Sequence, residues 1–148
     1  SQQESGQLEK AAKAYEQSLN MEASTREGSE AALYLGQVKL ADKDYVAANR
    51  YYSLAAERAG GDELIDVRAR SYFGLGEVAR VGQNWEEAAR YFMSVAVLFD
   101  DPVTTPESLY KASEAFEKLG RAKEQQEVIA ELNKRYPDSS WSKRSDKK

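Results

Sequence analysis

A chain of 148 residues that is 41% apolar and 31% charged, with three prolines and nine glycines, is long enough to bury a core and too mixed in composition to be disordered, collagen-like or low-complexity. It contains no cysteine and no histidine, which excludes disulfides, thiolate metal sites, thiol nucleophiles and serine-histidine triads, and removes the commonest transition-metal ligand. With 21 basic against 25 acidic residues, the net charge of −4 leaves no basic excess for a phosphate backbone, so no nucleic acid partner is expected.

In chain order, Leu8, Ala11, Ala12, Tyr15 and Leu19 share one face of an expected helix over 7–20. Six more helices are expected over 26–41, 45–59, 62–81, 85–99, 106–119 and 121–136. Asn84 stands as an N-cap with Glu87 three residues on, a capping-box arrangement, and Thr105-Pro106-Glu107 supplies an N-cap, a first-turn proline and a favourable charge. Gly120 follows Lys118 and Leu119 as a stop, and Pro137 bars continuation after Tyr136. The run Val95-Ala96-Val97-Leu98-Phe99 is far short of the roughly 20 residues that span a bilayer, and no signal peptide opens the chain, so no membrane span is expected. That run is instead the end of a helix whose apolar positions are Trp85, Ala88, Ala89, Phe92, Val95, Ala96 and Phe99, a 3.6-residue period. Nothing reads as strand, and the fold class is all-α with about seven helices. The start at Ser1 points to a processed or excised chain, and residues 138–148 read as a polar tail in which Trp141 covers the apolar end of the last hairpin.

A repeat runs through these elements. Leu35-Gly36 followed by Ala48-x3-Tyr52 matches Leu75-Gly76 followed by Ala88-x3-Phe92 at a displacement of 40 residues, with aromatic Tyr45 and Trp85 at the same offset in each. A weaker copy has Ala112-Ser113, Phe116, Gly120, Ile129 and Pro137, with Gln125 in place of the small alanine. Gly6, Leu8, Ala11 and Tyr15 match only the second half of a unit, so the chain opens inside a repeat. Small residues let paired helices approach, while a large aromatic four residues later fills the space between successive hairpins.

This pattern resembles the tetratricopeptide (TPR) repeat, W-x2-L-G-x2-Y then A-x3-F then P. The matching stretches are Ala32-x2-Leu35-Gly36-x2-Lys39, Tyr72-x2-Leu75-Gly76-x2-Ala79 and Leu109-x2-Ala112-Ser113-x2-Phe116. The register positions 11, 48, 88 and 125 are spaced 37, 40 and 37, beyond the usual length of about 34. Ala59-Gly60-Gly61 and Asp100-Asp101-Pro102 are the expected places for the added residues. The resemblance implies a right-handed superhelical solenoid of antiparallel helix pairs over 1–137: a half repeat at 6–20 and repeats at 26–59, 62–99 and 106–137.

It also implies a concave groove walled by the first helix of each pair. On the face opposite the contact within a pair, Leu33, Gln37 and Leu40 fall at i, i+4 and i+7, and the register places Phe73, Glu77, Arg80 and Tyr110, Glu114, Glu117 at equivalent points. Leu33, Phe73 and Tyr110 form an expected apolar ladder flanked by Arg70, Glu77, Arg80, Glu114 and Glu117. Such a strip suits a peptide or an amphipathic helix; the alternative is that neighbouring helices pack the ladder inside. Leu33, Gln37, Phe73 and Glu77 stand where the family's carboxylate clamp carries Lys and Asn, which argues against recognition of a terminal carboxylate.

Paired carboxylates at Glu77 and Glu114 are the sole enzymatic candidate, and solvated charge accounts for them more simply. Gly74-Leu75-Gly76 lies within a helix, and Gly60-Gly61 lacks a following Lys-Ser/Thr, so no phosphate loop is present. No catalytic residue, metal ligand or cofactor is expected. The function expected is a non-catalytic module that binds a protein partner in the groove. The alternative is a structural spacer or oligomerisation segment of a larger multi-repeat protein, associating through Leu8, Tyr15 and Leu19 of the half repeat. The ending from Glu131 to Ser139 resembles repeat ends of bacterial envelope proteins of this type, which favours the envelope or periplasm over the cytoplasm.

Overall fold

The computed structural model describes Lys10 and residues 26–145. Among the described residues the chain is helical and contains no strand: α1 (Arg26–Ala41), α2 (Tyr45–Arg58), a 3-10 turn (Asp62–Leu64) running into α3 (Ile65–Val81), α4 (Trp85–Leu98), α5 (Thr104–Lys118), α6 (Ala122–Arg135) and α7 (Ser140–Ser145). The expected helix 7–20, and with it the apolar face proposed for self-association, lies outside the described residues.

Three turns are built alike. After α1, Lys43 N–H donates to Leu40 O and Asp44 N–H to Lys39 O; after α3, Gln83 donates to Arg80 and Asn84 to Ala79; after α5, Gly120 donates to Glu117 and Arg121 to Phe116. Each is a Schellman closure, which requires a left-handed residue just past the helix. That residue has φ 64° at Lys43, 60° at Gln83 and 72° at Gly120. The next residue begins the following helix: Asp44 accepts from Ala47 N–H at 3.2 Å and Asn84 from Glu87 N–H at 3.5 Å. The expected capping box is only half made, because the Asn84 N–H that Glu87 would receive already donates to Ala79 O. Since only glycine takes the left-handed conformation without a Cβ penalty, Lys43→Gly and Gln83→Gly are each expected to stabilise the chain by up to about 1 kcal/mol, and Gly120→Ala to cost a similar amount. Urea midpoints check this, and a loss of stability at both lysine and glutamine would contradict it.

The start of α5 differs from expectation. Thr105 is not the N-cap; the helix begins at Thr104, two residues before the expected start, and the Asp101 carboxylate accepts from Val103 N–H at 3.1 Å and Thr104 N–H at 2.7 Å. Thr105 is fully buried, accepting from Asp101 N–H and donating to Phe99 O. A hydroxyl with two local partners is more use holding the loop closed than capping a helix whose first N–H groups an aspartate already takes.

The chain forms two compact units whose boundary falls within α3, between Val78 and Ala79. In the first, α1 packs along α2. Ala32, Leu35, Ala48, Ala55, Val67 and Ala69 are fully buried, and Tyr52 is 2% exposed. The Tyr52 ring lies so close to α1 and α3 that a Cβ built on Gly36 would stand 2.7 Å from a ring carbon, and one on Gly74 nearer still. Arg26 ties α1 to the start of α3 with paired bonds to the Asp66 carboxylate at 3.0 and 3.1 Å and a third to Glu63 O at 2.6 Å. The guanidinium holds the Asp66 carboxyl below the usual carboxylate range.

In the second unit α5 is central, packed by α4 on one side and α6 on the other. Leu109, Ala112 and Ala115 of α5 meet a core of Phe92 and Val95 from α4 and Leu132 from α6, all fully buried. Residues 138–148 were expected to be a polar tail, but 140–145 form α7, which packs on α5 and α6. The Ser139 hydroxyl caps it by accepting from Ser142 N–H at 3.0 Å, and the buried Ser142 hydroxyl donates to Asn133.

Candidate functional site

In the first unit the expected groove residues lie on α1 and α3. Leu33 is 6% exposed and belongs to the packed interior. Gln37 is exposed and Leu40 half-buried, so α1 presents a mostly polar edge there. On α3, Arg70 is exposed and Phe73 and Glu77 are half-buried, on one helical face at i, i+3 and i+7. Behind them the buried Tyr52 hydroxyl is pushed up to about 12 by loss of water, with the Glu77 carboxylate adding to the shift. Burial of Tyr52 and its approach to Gly74 fix the position of this stretch of α3, and hence of the Arg70–Phe73–Glu77 face.

In the second unit Arg80 and Glu114 form an ion pair at 3.6 Å, with side chains 37% and 28% exposed. Such a pair contributes at most about 1 kcal/mol, and it leaves this part of the rim nearly neutral. Glu117 accepts a bond at 2.9 Å from the Gln125 amide. Tyr110 is 6% exposed because Trp141 of α7 covers it, with ring centroids 5.1 Å apart and planes tilted by 44°. Over both rings stands Arg144, its guanidinium carbon 5.7 Å from the Tyr110 centroid and 5.4 Å from that of Trp141. The exposed Arg144, half-buried Trp141 and buried Tyr110 make a graded cluster from water to core.

Trp141 therefore covers the end of the last hairpin as the sequence suggests. Arg144 was missed by sequence reasoning, although its i, i+3 spacing from Trp141 places both on one face of any helix that follows Pro137. Glu114, one half of the enzymatic candidate, has its carboxylate engaged by Arg80. Among the described residues no group of three or more acidic side chains is arranged to hold a metal ion.

No protein-family model and no curated protein matches this sequence. Solved structures do match. One is the crystal structure of a Q17M variant from Podosopora anserina, described as a kinesin light chain with nearly identical TPR-like repeats; it aligns with a TM-score of 0.68 and 15% identity over 88% of this chain and 67% of that one. The fold is that of TPR-like repeats. At that identity the likeness concerns the backbone, and the interlock of small and large side chains in this TPR-like chain is its own: Ala48 with Tyr52, and Ala88 with Phe92, are each buried to 2% exposure or less. In the last TPR-like unit Gln125 replaces the alanine and stays half-buried, its amide turned toward Glu117.

Proposed function

We propose that this chain is a non-catalytic protein-interaction module that takes up a peptide or helical segment of a partner on the first-helix faces of its TPR-like repeats. The observation that carries the reading is the cluster of Arg144, Trp141 and Tyr110, where an exposed guanidinium and a half-buried indole stand over a buried tyrosine ring. Arginine and the large aromatics supply most binding energy at interfaces when their surroundings exclude water. Arg70, Phe73 and Glu77 offer the first unit's equivalent, with Gln37 and Leu40 beside α1's packed Leu33; in the second unit Arg80, Glu114 and Glu117 are weak rim charges. The ending at 131–139 favours an envelope or periplasmic location for the chain over a cytoplasmic one.

The test is a selection of displayed random peptides on the whole chain, followed by titration calorimetry with each binder. Phe73→Ala and Tyr110→Ala are expected to weaken affinity roughly tenfold or more each, with the far-ultraviolet spectrum unchanged. Tyr110→Ala acts by unseating Trp141, so Trp141→Ala should match it. Undiminished affinity in the Phe73→Ala, Tyr110→Ala double variant would refute the assignment.

A further inference from the structure

The end of the second unit concentrates positive charge that its surroundings do not neutralise. α7 carries Lys143 and Arg144, both exposed, and no acidic residue. On the helices that pack against it the carboxylates are already engaged: Glu107 pairs with Lys111 at 2.8 Å and Glu114 with Arg80 at 3.6 Å on α5, and Glu131 with Arg135 at 3.8 Å on α6. The chain as a whole has the opposite sign, at −4.

Arg144 also differs from other arginines in what holds it. Arg26, Arg80, Arg121 and Arg135 each pair with a carboxylate, at 3.0 to 3.6 Å, and Arg50 and Arg90 stand over one tyrosine ring apiece, at 4.8 and 5.1 Å. Arg144 stands over two rings, Tyr110 and Trp141. Its side chain makes no hydrogen bond or ion pair among the described residues, nor does that of Lys143. The ring faces therefore place the guanidinium without using its N–H donors, which stay available for an anion.

We infer, on the interaction-module reading, that the partner segment docking at α7 is acidic, with an Asp or Glu carboxylate accepting paired hydrogen bonds from Arg144 and with Lys143 supplying a second positive charge. The guanidinium fork matches a carboxylate in a bidentate pair, and an arginine already held on rings loses less freedom when that pair forms. A short segment is the occupant rather than a long polyanion. The patch offers two cations on a chain with 25 acidic residues against 21 basic, so an extended anion would run off it into like charge.

The experiment takes random peptides selected by display on the whole chain, keeps those whose affinity falls with Trp141→Ala, and measures them by calorimetry. These should be enriched in Asp and Glu, and their binding should weaken as salt rises. Arg144→Gln should cost roughly tenfold or more and Lys143→Gln a few-fold, with circular dichroism unchanged. Replacing the critical acidic residue of a peptide by Lys should abolish binding to the parent chain and restore it in part to Arg144→Glu, a rescue that a merely structural role for Arg144 would not give. Trp141-dependent binders without an acidic bias, or indifferent to Arg144→Gln, would overturn the inference and leave the interaction-module reading standing; no binders at all would overturn both. A single-stranded oligonucleotide that binds more tightly than the peptides with the same Arg144 dependence would also overturn it, as would a dimer in sedimentation that Arg144→Gln dissociates, since the occupant would then be a nucleic acid or a second copy.

Discussion

Gly74→Ala is expected to destabilise the chain by about 1–3 kcal/mol, although the same replacement in a helix interior ordinarily stabilises by about 1 kcal/mol. The sign reverses because of one side chain. The added methyl would stand against three carbons of the Tyr52 ring, and that ring is 2% exposed and pressed against Gly36 as well. A close-packed interior has no room to yield. Gly36→Ala should behave alike, while Tyr52→Ala should cost about 3–5 kcal/mol through the cavity it leaves. The decisive measurement is the double variant: in a Tyr52→Leu background the penalty of Gly74→Ala should shrink by about 1 kcal/mol or more. A Gly74→Ala chain as stable as the parent in urea would mean that the ring does not hold α2 against α3.

Ala48→Phe and Ala88→Phe are expected to cost about 1–3 kcal/mol or more each. Both alanines are fully buried, and each precedes by four residues the aromatic that fills the adjoining space, Tyr52 and Phe92. A phenyl ring at either place has to push a helix aside. Gln125→Phe should be milder, because that site already accepts a longer side chain and is half-open to water. Denaturation midpoints of the three variants test the register directly, and equal losses at 48, 88 and 125 would contradict it.

The parts legible in sequence were those governed by local or periodic chemistry. The repeat of small and large positions predicted helices over 26–41, 45–59 and 85–99 that the structure has within one residue at each end, and Gly120 announced its turn. The identical turns at Lys43 and Gln83 were not announced, since a left-handed lysine or glutamine is a choice made by the hydrogen bonds around it rather than by its own preference. Thr105 looked like a cap because its type and place suit one, and the side chain that displaced it, Asp101, lies outside the helix. The groove ladder shows the same limit. A period of 3.6 residues assigns Leu33 and Tyr110 a face, but whether that face meets water depends on what else packs there, and for Tyr110 that was Trp141 and Arg144 in a stretch that reads as polar tail.

The three-residue turns have a practical corollary for engineering. The connections at 42–44, 82–84 and 119–121 have one length because two backbone bonds and a left-handed residue define them, whereas the connection after Arg58 runs through Gly60 and Gly61, both exposed, with open space around the Gly61 α-carbon. Loop length costs little entropy once ends are fixed. An epitope or a second domain grafted between Gly60 and Gly61 should therefore be carried without disturbing the helices, while a single residue inserted at 43 or 83 would slip the register of every contact its hairpin makes.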